Sequence, residues 1–171
     1  MMYRTKTYIA ADWDGDRNTV EQLYKWNESQ YWELSFQDAH EITQARDTSL
    51  NCTIKRSLAS RLNASKTFVL IVGDNTKSVK SGSCQYCEDY YADFHMCLRN
   101  NVVDLRSYIE YECEKAVRDG LKIIVLYKSF FVYKQKCPEV IRNYGTHIPM
   151  YSRDNEGMFN WNYQAIKTAL K

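Results

Sequence analysis

The chain is poor in proline and glycine, with 2 and 6 among 171 residues. That scarcity excludes a collagen-like or linker-rich protein. It lacks an excess of either charge: 23 Lys and Arg stand against 21 Asp and Glu, a net +2. Such a balance announces neither a nucleic-acid partner nor a membrane surface. No apolar run approaches the ~20 residues of a membrane span. The start of the chain, MMYRTK, has no apolar leader core, so a cytoplasmic protein without a membrane partner is expected. The phosphate-cradling patterns G-x-G-x-x-G and G-x-x-x-x-G-K are missing, as is the G-x-S-x-G elbow. A standard Rossmann, P-loop or α/β-hydrolase site is therefore not expected. What the chain does have is a globular composition, 44% hydrophobic and 26% charged, and 14 tyrosines. Tyrosine buries apolar area and keeps a hydroxyl, which suits a wet cleft or an interface.

Strand-like and helix-like segments alternate about five times. Residues 7–12 (TYIAAD) read as a strand ending in acid. Asn18 and Glu21 form a capping-box pattern for a helix running to about Ser29. Residues 31–37 (YWELSFQ) alternate, with Trp32, Leu34 and Phe36 on one face, and predict a half-exposed strand. A charged loop follows at 38–47. Thr48 or Ser49 caps a helix carrying Leu50, Ile54, Leu58 and Leu62. The runs TFVLIV (67–72) and KIIVLY (122–127) are apolar on both faces. That pattern marks central parallel strands covered by helices on each side. Between them lies a helix at 107–119, stopped by Gly120. A short helix at 138–144, a weak strand at 147–151 and a closing helix at 160–171 complete the chain. The expected fold is an α/β, flavodoxin-like five-stranded parallel sheet in the order 2-1-3-4-5, flanked by helices. The whole chain, 1–171, reads as one domain with an insertion at about 78–106, a stretch too long for a plain loop.

In such sheets ligands sit at the carboxyl ends of the strands. The helix at 107–119 carries the most telling acid. At about 100° per residue, Ile109, Cys113, Ala116 and Val117 form its buried stripe. Glu110 and Glu112 fall on opposite borders, and Glu114 points outward, four residues before Arg118. The pattern Ser107-x-x-Glu110 is a capping box, which gives Glu110 a structural task. Glu112 has neither a capping role nor a base four positions on. It is either a rim carboxylate favoured by the helix dipole or a functional acid facing the ligand edge. The insertion holds Cys84-x-x-Cys87 and His95-x-Cys97. These are either a structural zinc set or reduced thiols packed as small hydrophobes with His95 hydrogen-bonded nearby. No metal ligand is assigned to the site itself.

The succession TYIAAD, a charged second loop, a helix, FVLIVGDNT and then SYIEYECEKAVRDGLKIIVLY resembles a TIR-like domain. It is closest to the bacterial TIR-like subunit of the Thoeris anti-phage defence system. Tyr108-Ile109-Glu110-Tyr111-Glu112, followed by a basic-Gly turn and an apolar strand, is the most specific piece. The likeness covers most of residues 6–130. Where such families usually have Trp near the helix start, this chain has Tyr108.

The resemblance implies cleavage of the nicotinamide–ribose bond of NAD, with NAD as substrate and Glu112 as the catalytic carboxylate. Asp12, Trp13, Asp38, Asn75 and Tyr108 are then candidates for holding the nucleotide. Nicotinamide leaves as a neutral group, so one carboxylate stabilising an oxocarbenium-like ribose is sufficient chemistry. The product would be linear or cyclic ADP-ribose, a signal to a downstream effector, released on a phage-derived trigger and with a homo-oligomer as one active form. Two other readings compete: a non-catalytic TIR-like adaptor, and a nucleoside 2-deoxyribosyltransferase-like enzyme acting on free deoxynucleosides. A phospho-acceptor receiver domain is weaker. It would need an acid and a lysine at the ends of neighbouring strands, for which Asp74 and Lys128 match only superficially.

Overall fold

The computed structural model describes residues 3–41 and 49–171. Its core is a parallel sheet of four strands, β1 (Lys6–Ala10), β2 (Ser65–Val72), β5 (Lys122–Tyr127) and β6 (Thr146–Pro149), in that spatial order. Two short antiparallel hairpins stand apart from it, β3 (Tyr90–Tyr91) with β4 (Met96–Cys97), and β7 (Tyr151–Arg153) with β8 (Phe159–Trp161). The helices are α1 (Trp13–Glu28), α2 (Asn51–Asn63), α3 (Tyr108–Arg118) and α4 (Tyr163–Leu170).

The two apolar runs occupy the centre of the sheet as expected, paired Thr67 with Lys122 through Val72 with Tyr127. Their alternation sorts the core into two layers. Tyr8, Ala10, Phe68, Leu70, Val125 and Tyr127 face α2 and α3, while Ile9, Val69, Ile71, Ile124 and Leu126 face α1 and α4. Strand parity therefore decides which helix each strand residue meets.

The strand expected at 31–37 does not form among the described residues, so five strands and the order 2-1-3-4-5 are replaced by the four above. Glu33 and Ser35 take φ of +43° and +57°, a left-handed conformation that breaks an extended run. The Ser29 hydroxyl accepts from the amides of Tyr31 and Trp32. Asn27 clamps Phe36 through both halves of its amide, at 2.9 and 2.8 Å. A side chain thus supplies the hydrogen bonds that a neighbouring strand would have supplied. Among the described residues this stretch pairs with β1 only through an isolated parallel bridge, Thr7 to Asp38, with Thr7 N–H donating to Gln37 C=O at 2.7 Å.

Helix boundaries shift as well. α1 starts at Trp13, so Asn18 lies inside the helix and caps nothing, while Asp14 and Asp16 complement the dipole of its first turn. α2 has Leu50 at its N-cap position with no side-chain cap. Thr48 and most of the 38–47 loop lie outside the described residues. The capping box of α3 is present as read, the Ser107 hydroxyl accepting from Glu110 N–H and the Glu110 carboxylate from Ser107 N–H.

The 78–106 segment folds back on its own neck, with Cys84 N–H to Asp104 C=O at 3.0 Å and Tyr108 N–H to Ser81 C=O at 2.8 Å. Lys55 of α2 reaches across to the carbonyls of Asp104 and Arg106 at 3.2 and 2.7 Å. No helix among the described residues is long and apolar enough to cross a membrane.

Candidate active site

A cleft of about 340 Å³ opens at the carboxyl end of β1. Its walls come from the start of α1 (Asp12, Trp13), from His40, from α2 (Ile54, Leu58, Arg61), from the neck of the insertion (Val79, Ser81) and from α3 (Tyr108, Ile109, Glu112). Tyr8, from the middle of β1, also lines it.

Glu112 is not the rim carboxylate that helical periodicity suggests. It is 6% exposed. Tyr8 faces α3 because of its strand parity, and its hydroxyl donates to Glu112 Oε1 at 2.5 Å. Burial pushes the Glu112 carboxyl up to about 7, against the opposing pull of the Tyr8 hydrogen bond and the nearby Arg61 charge. Burial, followed by the charge of Glu112, raises the Tyr8 phenol well above its ordinary range. Tyr8 therefore keeps its proton and remains the donor.

The other expected residues divide. Asp12, Trp13 and Tyr108 line the same cleft as Glu112. Trp13 is 46% exposed, its ring edge-on to His40 with centroids 5.8 Å apart. Tyr108 donates to Asn51 Oδ1 at 2.9 Å, and burial keeps its phenol protonated. Asp38 stands one residue layer back. It receives Tyr24 Oη at 2.9 Å and holds His40 Nδ1 at 2.8 Å, so it acts on the cleft through His40. Those hydrogen bonds outweigh burial and keep its carboxyl below the ordinary range. Asn75 is exposed and does not line the cleft; its amide lies beside Gly15. Three lining residues have no signal in the sequence taken alone: Tyr8 reads as a core aromatic, Arg61 as a helix surface base and His40 as part of a polar loop.

Elsewhere Glu114 pairs with Arg106 rather than Arg118, and Arg118 pairs with Asp119 at 3.0 Å. Lys128 is engaged by Asp16 and the Gly15 carbonyl, and Asp74 by Lys136, which removes the receiver-like pairing of Asp74 with Lys128. In the insertion His95 bonds Tyr90 Oη at 2.9 Å. Cys52 of α2 joins Cys84, Cys87 and Cys97 around a small void instead. All six cysteines are free thiols. Among the described residues no group of three or more His, Cys, Asp or Glu side chains stands in an arrangement that holds a metal ion.

An α/β domain with a carboxylate-floored cleft at the carboxyl edge of a parallel sheet is the class that fold and site define. Residues 8–81 match the family described as Thoeris protein ThsB, TIR-like domain. Over that stretch, a little under half of the chain, the sequence is similar to the TIR-like domain of Thoeris ThsB. The match takes in the second half of β1, then α1, α2, β2 and the start of the insertion, and it ends before α3 and Glu112. No curated protein matches the chain.

Proposed function

We propose that the protein cleaves the nicotinamide–ribose bond of NAD, with Glu112 as the catalytic carboxylate. The observation that carries this reading is a buried acid lining an open cleft whose mouth holds an exposed indole and an aspartate, Trp13 and Asp12. NAD brings a pyridinium cation. Its positive charge beside Glu112 favours the ionised carboxylate, so substrate binding itself turns on the group. As the bond to nicotinamide lengthens, the charge passes to the ribose, where the same carboxylate stabilises it. Nicotinamide departs neutral and needs no proton. Trp13 offers a face for stacking on a ring, Asp12 an acceptor for ribose hydroxyls, and Tyr108 a polar wall.

Water as acceptor gives ADP-ribose, and the adenine of the same molecule gives a cyclic isomer. In this reading the product is a signal to an effector, and a phage-derived trigger switches the enzyme on. An open cleft supports catalysis over a purely adaptor role.

The test is nicotinamide release from NAD by the activated protein, with free deoxynucleosides as the competing substrate. Glu112→Gln keeps the shape and removes the charge, so turnover should fall at least ~100-fold. Glu110→Gln retains the capping hydrogen bonds and should leave turnover near wild type. A Glu112→Gln variant with wild-type NAD consumption would sink the assignment.

A further inference from the structure

Resting on the catalytic reading of Glu112, we propose that Tyr8 is its positioning residue: the buried Tyr8 hydroxyl fixes Glu112 Oε1 and holds the ionised carboxylate toward the ribose. The geometry is specific. The bond is 2.5 Å long and joins β1 to α3 across 104 positions of sequence. It is made directly to the carboxylate oxygen, with no intervening group. The Tyr8 ring is itself immobilised, 1% exposed, stacked on Phe68 at 5.9 Å and tilted against His40 at 5.1 Å. A donor so rigidly placed costs nothing to reorganise during reaction.

The surrounding charges set how much the bond matters. Arg61 of α2 favours the ionised acid, while burial opposes it more strongly. Asp38, behind His40, and the Cys113 thiol, packed next to Glu112 on α3, offer no hydrogen bond to the carboxylate. Deleting the Tyr8 hydroxyl leaves Arg61 alone against desolvation. The acid should then ionise at higher pH.

The experiment titrates the ¹³C-labelled carboxyl of Glu112 by NMR, assigned with Glu112→Gln, in wild type and Tyr8→Phe. The midpoint should rise by about one pH unit in Tyr8→Phe, the scale of one hydrogen bond to a charged group. The acid limb of kcat/KM for NAD should move with it, with a loss of about 5-fold at pH 7 that is recovered in alkaline buffer. Should Tyr8→Phe fold poorly, 3-fluorotyrosine placed at position 8 alone, a stronger donor of nearly the same size, should move the midpoint down. Unmoved midpoints, or a loss of rate equal at every pH, would overturn the positioning role. A moved midpoint in a protein that cleaves no NAD once activated would uphold the Tyr8–Glu112 coupling and overturn the NAD reading.

Discussion

Glu112 illustrates at the scale of one residue how a site is maintained against stability. Burial raises its folded-state value from the ordinary 4.5 to about 7. The folded protein therefore binds this proton more tightly than the unfolded chain. The associated stability is fully present below the unfolded value and is lost as pH rises through the folded one. From pH 4.5 to pH 8 the loss is on the order of 3 kcal/mol. Glu112→Gln is neutral throughout and escapes it. Its melting temperature should exceed that of wild type at pH 8, and the advantage should vanish by pH 4.5. Thermal unfolding of both proteins across that range decides the matter, and parallel curves would show that the carboxylate is not desolvated. The same substitution is expected to abolish turnover, a trade of stability against function.

At the scale of elements, the start of α3 and the neck of the insertion shape the cleft wall together. Gly82 has φ of +94°, and a Cβ there would stand 2.5 Å from the Tyr108 ring. Glycine is thus required both by backbone conformation and by the approach of the aromatic. Gly82→Ala should push Tyr108 away from Asn51 and deform the wall. The expected result is a several-fold rise in KM for NAD and a stability loss of about 1–2 kcal/mol. Steady-state kinetics with a thermal melt checks both, and an unchanged KM would remove Tyr108 from the binding surface. The capping box of Ser107 and Glu110 anchors that helix start whatever the wall does, so α3 itself should persist.

At the scale of the whole molecule, the 78–106 segment is clipped to the body by one buried cation. Lys55 is 4% exposed, reaches two neck carbonyls, and lies 3.2 Å from Asp104 Oδ2. Hydrogen bonds from Arg106 outweigh burial and hold Asp104 at about 2, with Lys55 assisting. Lys55→Met keeps the aliphatic stem and removes every one of these donors. Asp104 stays paired with Arg106, so the cost should be about 1–3 kcal/mol, as for leaving buried carbonyl acceptors unpaired. Amide exchange across 81–106 should accelerate while β2 and β5 stay protected. Uniform exchange changes over the whole chain would mean that the segment is not a separately releasable unit.

Much of this was readable from local pattern. TFVLIV and KIIVLY are apolar on both faces, and only a central position under two helical layers satisfies such strands. Ser107 and Glu110 stand at capping spacing, which a helix start converts directly into hydrogen bonds. Glu112 stood out because no local task used it. The tertiary structure decided the remainder, because those facts depend on partners far away in sequence. Alternation in 31–37 predicted a strand, but the Asn27 amide took the hydrogen bonds and two left-handed residues broke the run. Spacing put His95 with three cysteines, whereas the hairpin turned it to Tyr90 and brought Cys52 from α2. Periodicity left Glu112 on a helix border; the parity of β1 brought Tyr8 against it, and burial by a residue 104 positions away is what a helical wheel has no means to register.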